Sequence, residues 1–144
     1  MSNKYKKIFI ASDHAGLEMK RHLIARHPEL PFVDLGPSSG DSVDYPDYAA
    51  KLCQELEKHL ADSIGVLVCG SGQGMAIRAN RFPFVRAALC WNAEIAQLAR
   101  AHNDANVLCL AGRHLVFPVA DEILKVFLST PFEGGRHQKR VDKL

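Results

Sequence analysis

Residues 64–80, with the sequence IGVLVCGSGQGMAIRAN, constrain the fold of this chain more than any other segment. A short apolar run rich in β-branched residues ends at Cys69, and three glycines follow at alternate positions: Gly70, Gly72 and Gly74. This order predicts a buried parallel strand, a tight turn and the N-terminus of a helix. Glycines let the backbone approach a ligand and point N–H groups at it, and a helix N-terminus adds partial positive charge. The segment therefore predicts a thiol beside an anion-binding turn.

The spacing of these glycines argues against several phosphate-binding motifs. The pattern is G-x-G-x-G after the third predicted strand, whereas a dinucleotide-binding turn needs G-x-G-x-x-G after the first. A Walker A loop needs lysine after its last glycine, and here Met75 follows Gly74. A Cys-x5-Arg phosphatase loop would need arginine at position 75, but the next arginine downstream is Arg78. An ordinary glycine turn beside an inert, buried Cys69 stays open as an alternative.

Composition indicates one soluble domain spanning residues 1–144, since 47% of the residues are hydrophobic and 24% are charged. A net charge of +2 gives no reason to expect nucleic-acid or membrane binding. The four cysteines lie far apart and form no C-x-x-C pair, which argues against a zinc or redox motif. No signal peptide and no apolar run of membrane length are evident, so we expect a cytoplasmic protein.

The chain alternates between strand-like and helix-like segments. Strands are predicted at residues 7–12, 32–36, 64–69, 86–90 and 107–111, and helices at about 16–27, 46–60, 74–80, 93–102 and 117–129. Apolar strands that alternate with amphipathic helices predict an α/β fold, with a parallel sheet of five strands covered by helices on both faces. Residues 130–144 are expected to form a C-terminal tail.

Chemically active side chains recur after the predicted strands. Those after a strand, or at the end of the helix that follows one, are Asp13, His14, Cys69, His102, Asn103 and Arg113. Because ligands of open parallel sheets bind past the carboxyl ends of the strands, we expect these residues to gather at one edge of the sheet. Each also has an ordinary structural explanation, such as a helix N-cap for Asp13 or a helix C-cap for His102 and Asn103.

Three further residues are candidates outside these strand ends. Tyr45, just before Pro46, could anchor a loop or contact a ligand. Arg136 and Arg140 stand four residues apart and would share one helical face, either for binding or simply in solvent.

Six motifs resemble those of the type B ribose-5-phosphate isomerases and of the related galactose- and allose-6-phosphate isomerases. They are ASDHAG (11–16), DYPDYA (44–49), VLVCGSGQGM (66–75), RAALC (86–90), AHNDANV (101–107) and FEGGRHQKR (132–140). The resemblance implies a three-layer α/β/α Rossmann-like sandwich and the interconversion of ribose 5-phosphate and ribulose 5-phosphate, in the pentose phosphate pathway. It also implies a homodimer or tetramer with active sites between subunits, and neither a metal nor an organic cofactor.

The resemblance assigns a catalytic set, which would be Cys69, His102, Asp13 and Ser71. Isomerisation needs a base that moves a proton between C2 and C1 of the sugar, and Cys69 is the expected base. The N–H groups of the turn are expected to hold the enediolate oxygen; this turn comprises Gly70, Ser71, Gly72, Gln73 and Gly74. His102 is expected to open the furanose ring, since imidazole is the side chain that exchanges protons most readily near neutral pH.

The remaining assignments concern binding. Asp13 and Asn103 are expected to orient the sugar, with Tyr45 beside it. The expected phosphate ligands are His14, Arg113, Arg136 and Arg140, the last two contributed by the tail. Ser71 stands where threonine is common, and Gln73 where an aliphatic residue is usual. Cys69, together with the apolar Met75 where some relatives have glutamate, places the chain with the cysteine-dependent branch.

Three functional classes stay open at this point. A sugar-phosphate isomerase accounts for all six motifs, although the sequence does not distinguish pentose from hexose phosphates. A cysteine-dependent hydrolase would have the same strand, thiol and turn, but this chain lacks the arginine that such a hydrolase needs. A nucleotide-binding regulatory module would leave the constellation of Cys69, His102 and Arg113 unexplained.

Overall fold

The computed structural model describes residues 3–144, which form a sheet of five parallel strands. The strands are β1 (Lys7–Ser12), β2 (Phe32–Asp34), β3 (Ser63–Cys69), β4 (Ala87–Leu89) and β5 (Val107–Ala111). Their order across the sheet is β2-β1-β3-β5-β4, and every neighbouring pair is parallel. All seven residues of the central β3 are buried, whereas the edge strand β4 is only half-buried. The predicted parallel sheet is confirmed.

Helices cover both faces of the sheet. They are α1 (Leu17–Arg26), α2 (Tyr45–Glu57), α3 (Gln73–Ala79), α4 (Ala93–Asn103), α5 (Phe117–Ser129) and the short α6 (Gln138–Val141). The apolar faces of α1, α4 and α5 pack into one core cluster with the sheet, and those of α2 and α3 pack into another. The architecture is the predicted three-layer α/β/α sandwich.

The strand order reverses between β1 and β3. From β1 the chain moves outward to β2, and from β3 the later strands extend the sheet in the opposite direction. A crevice therefore opens beyond the carboxyl ends of β1 and β3, where α/β sheets usually bind ligands. Gly16 lets the start of α1 reach the end of β3, because a Cβ at this position would strike the carbonyl oxygen of Val68.

The C-terminal tail packs against its own chain. The N–H of Glu133 donates to the carbonyl of Ala101 at 2.9 Å, which fastens the tail to the end of α4. The tail continues through a 3-10 turn (Gly135–His137) into α6, and His137 is buried. Val141 and Leu144 line a groove beside the start of β4. Although two consecutive glycines, Gly134 and Gly135, begin this turn, these contacts hold the tail against the domain.

Within residues 3–144, none of the helices has the length and apolar character needed to cross a membrane.

Candidate active site

Three loops meet at the carboxyl edge of the sheet. The N–H of Asp13 donates to the carbonyl of Val68 at 3.2 Å, which joins the loop after β1 to β3. The N–H groups of Gly112 and Arg113 donate to the carbonyls of Cys69 and Gly70, at 2.8 and 3.0 Å, which joins the loop after β5 to the same strand. These backbone bonds fix the relative positions of the side chains that follow the three strands.

A cleft of about 350 Å³ lies above these loops, at the point where the strand order reverses. Its lining contains Asp13, His14, Ala15, Tyr45, Cys69, Gly70, Ser71, Gly74 and Arg113. Eight of these nine residues are site residues expected from the sequence, and Ala15 is the addition. The volume falls within the range of small-molecule sites. The structure thus brings together the thiol, a carboxylate, an imidazole and a guanidinium around one small space.

Cys69 is the cysteine that borders this cleft, and only 5% of it is exposed. Burial raises the pKa of Cys53 and of Cys90 to about 12, and it raises the pKa of Cys109 well above the usual value. Those three groups therefore stay protonated near neutral pH and lie in the core. Their position makes them packing residues, whereas Cys69 lies at the end of β3 beside the turn.

The turn after Cys69 depends on glycine at two positions. Gly72 has a φ of 78°, and a Cβ there would strike Leu89 and lie 3.1 Å from the carbonyl oxygen of Leu110. A Cβ at Gly74 would meet the ring of Tyr45, which therefore packs directly on the turn. The N–H of Gln73 donates to Ser71 Oγ at 3.3 Å. The backbone thus begins α3 in a conformation that leaves room for a ligand beside its first N–H groups.

Asp13 and His14 are both oriented by backbone groups. Asp13 is buried and its Oδ1 accepts the N–H of Gly16 at 2.9 Å, while Gly16 itself is the N-cap of α1. His14 Nδ1 accepts the N–H of Val43 at 3.2 Å. An imidazole nitrogen that accepts a hydrogen bond carries no proton, so Nε2 carries it and is free to donate. In this arrangement His14 offers one N–H donor to the cleft that it lines.

Arg113 lies along the turn after Cys69. A Cβ on Gly70 would lie 3.6 Å from Arg113 Cδ and 3.7 Å from its Nη1, an ordinary packing distance. Arg113 is exposed and borders the cleft that Asp13 and His14 also line. It can therefore offer its planar set of donors to an anionic group that enters from solvent.

Four of the expected site residues lie elsewhere in the chain: His102, Asn103, Arg136 and Arg140. His102 and Asn103 end α4, and Asn103 lines the groove beside the start of β4. A helix between parallel strands runs back along the sheet, so its end lies at the amino edge, near the start of β5. At about 3.3 Å per residue, the five residues of β5 separate the two edges by roughly 13 Å.

The expectation that all polar groups gather at one edge is therefore wrong for the end of α4 in a single chain. The alternation of strands and helices in the sequence predicts the observed placement. In such a fold the residues after a strand lie at one edge of the sheet, and those at the end of the next helix lie at the opposite edge.

Two residues that the sequence reasoning did not single out accompany His102. The rings of His102 and His137 stack with centroids 4.1 Å apart and an interplanar angle of 12°. Glu133 Oε1 lies 3.8 Å from His102 Nε2 and 3.6 Å from His137 Nε2. Burial, followed by the positive charges of His102 and Arg136, lowers the pKa of His137, while the carboxylate of Glu133 acts to raise it. The quoted FEGGRHQKR motif contained both residues, and their proximity to His102 required the fold.

Comparisons with known proteins identify the relatives of this chain. Residues 8–144 match the family model described as Ribose/Galactose Isomerase. A probable ribose-5-phosphate isomerase B from Mycoplasma pneumoniae is 47% identical over 141 residues, covering 95% of this chain and 91% of that protein. Ribose-5-phosphate isomerase B from Escherichia coli is 38% identical, with 96% and 94% covered.

Solved structures give the same result. A crystal structure of a ribose 5-phosphate isomerase from Thermotoga maritima superposes with a TM-score of 0.92 at 47% identity, and covers 95% of both chains. The structure of ribose-5-phosphate isomerase B from Mycoplasma genitalium with bound ribulose-5-phosphate has a TM-score of 0.90 at 42% identity, with 95% of this chain and 92% of that chain covered.

Proposed function

The chain belongs to the ribose/galactose isomerase family, and we propose a mechanism by which it interconverts ribose 5-phosphate and ribulose 5-phosphate. The observation that carries the mechanism is the position of Cys69 at the end of β3, beside the glycine turn and in the cleft that Arg113 also lines. That arrangement offers a proton-transfer group, a set of N–H donors and a cation around one sugar-sized space.

Proton transfer is assigned to Cys69. The thiolate removes the proton from C2 of the open-chain aldose, and the resulting thiol returns a proton to C1. The enediolate between these steps carries negative charge on oxygen, and N–H groups of the turn from Gly70 to Gly74 are placed to stabilise it. Removal of one such donor typically costs about 100- to 1,000-fold in rate. Asp13 and Ser71 border the same space and orient the sugar hydroxyls.

Ring opening is assigned to His102 of a second copy of the chain. In one chain His102 lies at the opposite edge of the sheet from Cys69, so it cannot serve its own cleft. A homodimer that apposes the amino edge of one chain to the carboxyl edge of the other would complete both sites. Large apolar side chains are exposed on α3, just after β4 and on α4, as a subunit interface requires: Ile77, Trp91 and Leu98.

Phosphate binding is divided in the same way. His14 and Arg113 border the cleft, whereas the exposed Arg136 and Arg140 lie on the tail with His137. In the proposed dimer the tail arginines and Asn103 approach the partner's cleft together with His102. Guanidinium groups from two chains would then hold one phosphate through paired hydrogen bonds.

The mechanism is tested by steady-state kinetics on protein treated with a chelator, with ribose 5-phosphate compared against allose and galactose 6-phosphates. We expect the pentose phosphate to have the highest kcat/KM without any added metal or cofactor. Cys69→Ala should lower kcat by about 100- to 10,000-fold, the usual range for a general base, while substrate binding persists. Cys53→Ala, which removes a buried thiol on α2, is the matched control. Near wild-type kcat in Cys69→Ala would show that another group is the base, and a preference for hexose phosphate would contradict the substrate assignment.

A further inference from the structure

A second cluster of metal-ligating side chains lies at the amino edge of the sheet. It comprises His102, Glu133 and His137, and their candidate ligand atoms all lie within 4.8 Å of one another. Both imidazoles direct Nε2 toward the same carboxylate oxygen, at 3.8 and 3.6 Å. Among residues 3–144 this trio alone brings three such ligand atoms within 4.8 Å of one another.

The backbone holds the three residues together before any ligand arrives. The N–H of Glu133 donates to the carbonyl of Ala101, the residue before His102, at 2.9 Å. The N–H of His137 donates to the carbonyl of Gly134 at 3.0 Å, which closes the turn between Glu133 and His137. The tail is thereby fixed against the end of α4, so little chain entropy is lost when the three side chains converge.

Accessibility differs across the cluster in a way that suits an open metal site. His137 is buried, the side chain of His102 is 35% exposed and that of Glu133 is 58% exposed. A metal ion can therefore approach from the side of Glu133, while the buried imidazole forms a fixed inner ligand. A fourth coordination position would face solvent and hold water.

We propose that His102, Glu133 and His137 bind a divalent transition metal ion of the zinc class. Two imidazoles and one carboxylate are a set that zinc accepts, with bonds of about 2.0–2.2 Å, so that ligand atoms in a tetrahedral site lie roughly 3.4 Å apart. The two separations from the carboxylate oxygen, 3.8 and 3.6 Å, need to shorten by a few tenths of an ångström. The two imidazole nitrogens lie within 4.8 Å of each other and need to approach by up to about 1.4 Å to reach tetrahedral spacing. The rings stack nearly parallel, so they must also tilt until their lone pairs converge, and the half-exposed His102 is free to do so. Imidazole ligands favour zinc, copper or nickel over magnesium and calcium.

The metal acts as an inhibitor and not as a cofactor of the isomerase. Coordination occupies His102 Nε2. The inhibition rests on the proposed function, in which the imidazole of His102 opens the sugar ring in the partner's cleft. Metal binding and isomerisation therefore compete for one side chain. The binding itself depends only on the three residues and does not require that role.

The test measures metal affinity and activity separately on the full-length protein after treatment with a chelator. Titration with Zn²⁺ against a chromophoric chelator should give one ion per chain. Glu133→Gln, which changes an exposed side chain, and His137→Asn should each weaken Zn²⁺ binding at least about tenfold. His22→Asn is the matched control, because His22 also pairs with a carboxylate, that of Asp121, but lies on α1. Mg²⁺ should not compete with Zn²⁺.

Equal Zn²⁺ affinity in wild type, Glu133→Gln and His137→Asn would overturn the site. The inhibitory role has its own readout: Glu133→Gln should retain near wild-type activity without metal and need at least about tenfold more Zn²⁺ for half inhibition. Because thiolates also bind zinc, inhibition of the wild type alone does not identify the site, whereas a difference in Zn²⁺ inhibition between wild type and Glu133→Gln does. Equal inhibition of these two proteins by Zn²⁺ would overturn the inhibitory role. If the ring-opening role of His102 is wrong, the affinity differences persist while Zn²⁺ leaves the activity of both proteins unchanged.

Discussion

Mixed dimers give the sharpest test of the shared site. Cys69→Ala and His102→Asn are each expected to be nearly inactive as homodimers, because every site lacks one reacting group. A heterodimer of the two should recover one intact site, built from the Cys69 of one chain and the His102 of the other. Its second site carries both defects. If sites were instead built within one chain, both sites of the heterodimer would carry one defect and no activity would return.

The activity expected of the heterodimer follows from the two-fold symmetry of the proposed dimer. One intact site of two predicts about half the wild-type activity for pure heterodimer, and random mixing of the two chains predicts about one quarter, because half of the dimers are mixed. The separation of roughly 13 Å along β5 leaves no route by which His102 could reach Cys69 of its own chain. Co-expression with two different affinity tags and sequential purification isolates the heterodimer, and ribulose 5-phosphate formation is then followed. Activity in verified heterodimers that does not exceed that of the parent variants would refute the shared site.

Three further variants test other parts of the structure. The double variant Arg136→Ala/Arg140→Ala should raise KM far more than it lowers kcat, since each lost charge-assisted contact costs about 1.5–3 kcal/mol. An unchanged KM would show that the tail does not bind the phosphate. Gly72→Ala should destabilise the fold by more than about 1 kcal/mol, because φ is positive and the added Cβ meets Leu89; chemical denaturation measures the loss, and an unchanged midpoint would contradict it. Asp121 accepts hydrogen bonds from His22 and His27 at 2.8 Å, and although burial acts to raise its pKa, these bonds lower it below 3.8. Asp121→Asn should therefore reduce the free energy of unfolding near neutral pH, and its difference from wild type should shrink as pH falls below about 4, where the wild-type carboxylate becomes protonated. Glu122→Gln, on the exposed face of the same helix, is the control, and a pH-independent difference would exclude the carboxylate as its origin.

The central strands and the helices were predictable because their apolar periodicity is strong. The predicted strand at 107–111 agrees with β5 as observed, and the predicted strand at 64–69 differs from β3 by one residue. The edge strands were predicted too long: β2 ends at Asp34 and β4 at Leu89. At Gly36 a φ of 97° takes the chain out of the extended conformation. Half-buried edge strands have a weaker apolar pattern, so hydrophobicity alone does not predict where they end. Their ends are set by the turns that follow.

The candidate site was predictable where it depends on strand ends and not where it depends on helix ends. Asp13 and Cys69 were expected together because each ends a parallel strand, and the structure places both in one cleft. His102 was expected there too, but the length of α4 carries it to the far edge of the sheet. His137 was beyond sequence reasoning, because its position depends on how the tail folds back onto Ala101.

The placement of Cys69 and His102, the proposed reacting groups, at opposite edges of the sheet has a consequence for the enzyme at low concentration. In the proposed dimer no isolated chain contains a complete site, so separating the subunits abolishes both sites at once. Specific activity per chain should then fall with dilution once the protein concentration drops below the dimer dissociation constant, and it should recover on reconcentration. Turnover would depend on mass action between subunits as well as on substrate concentration.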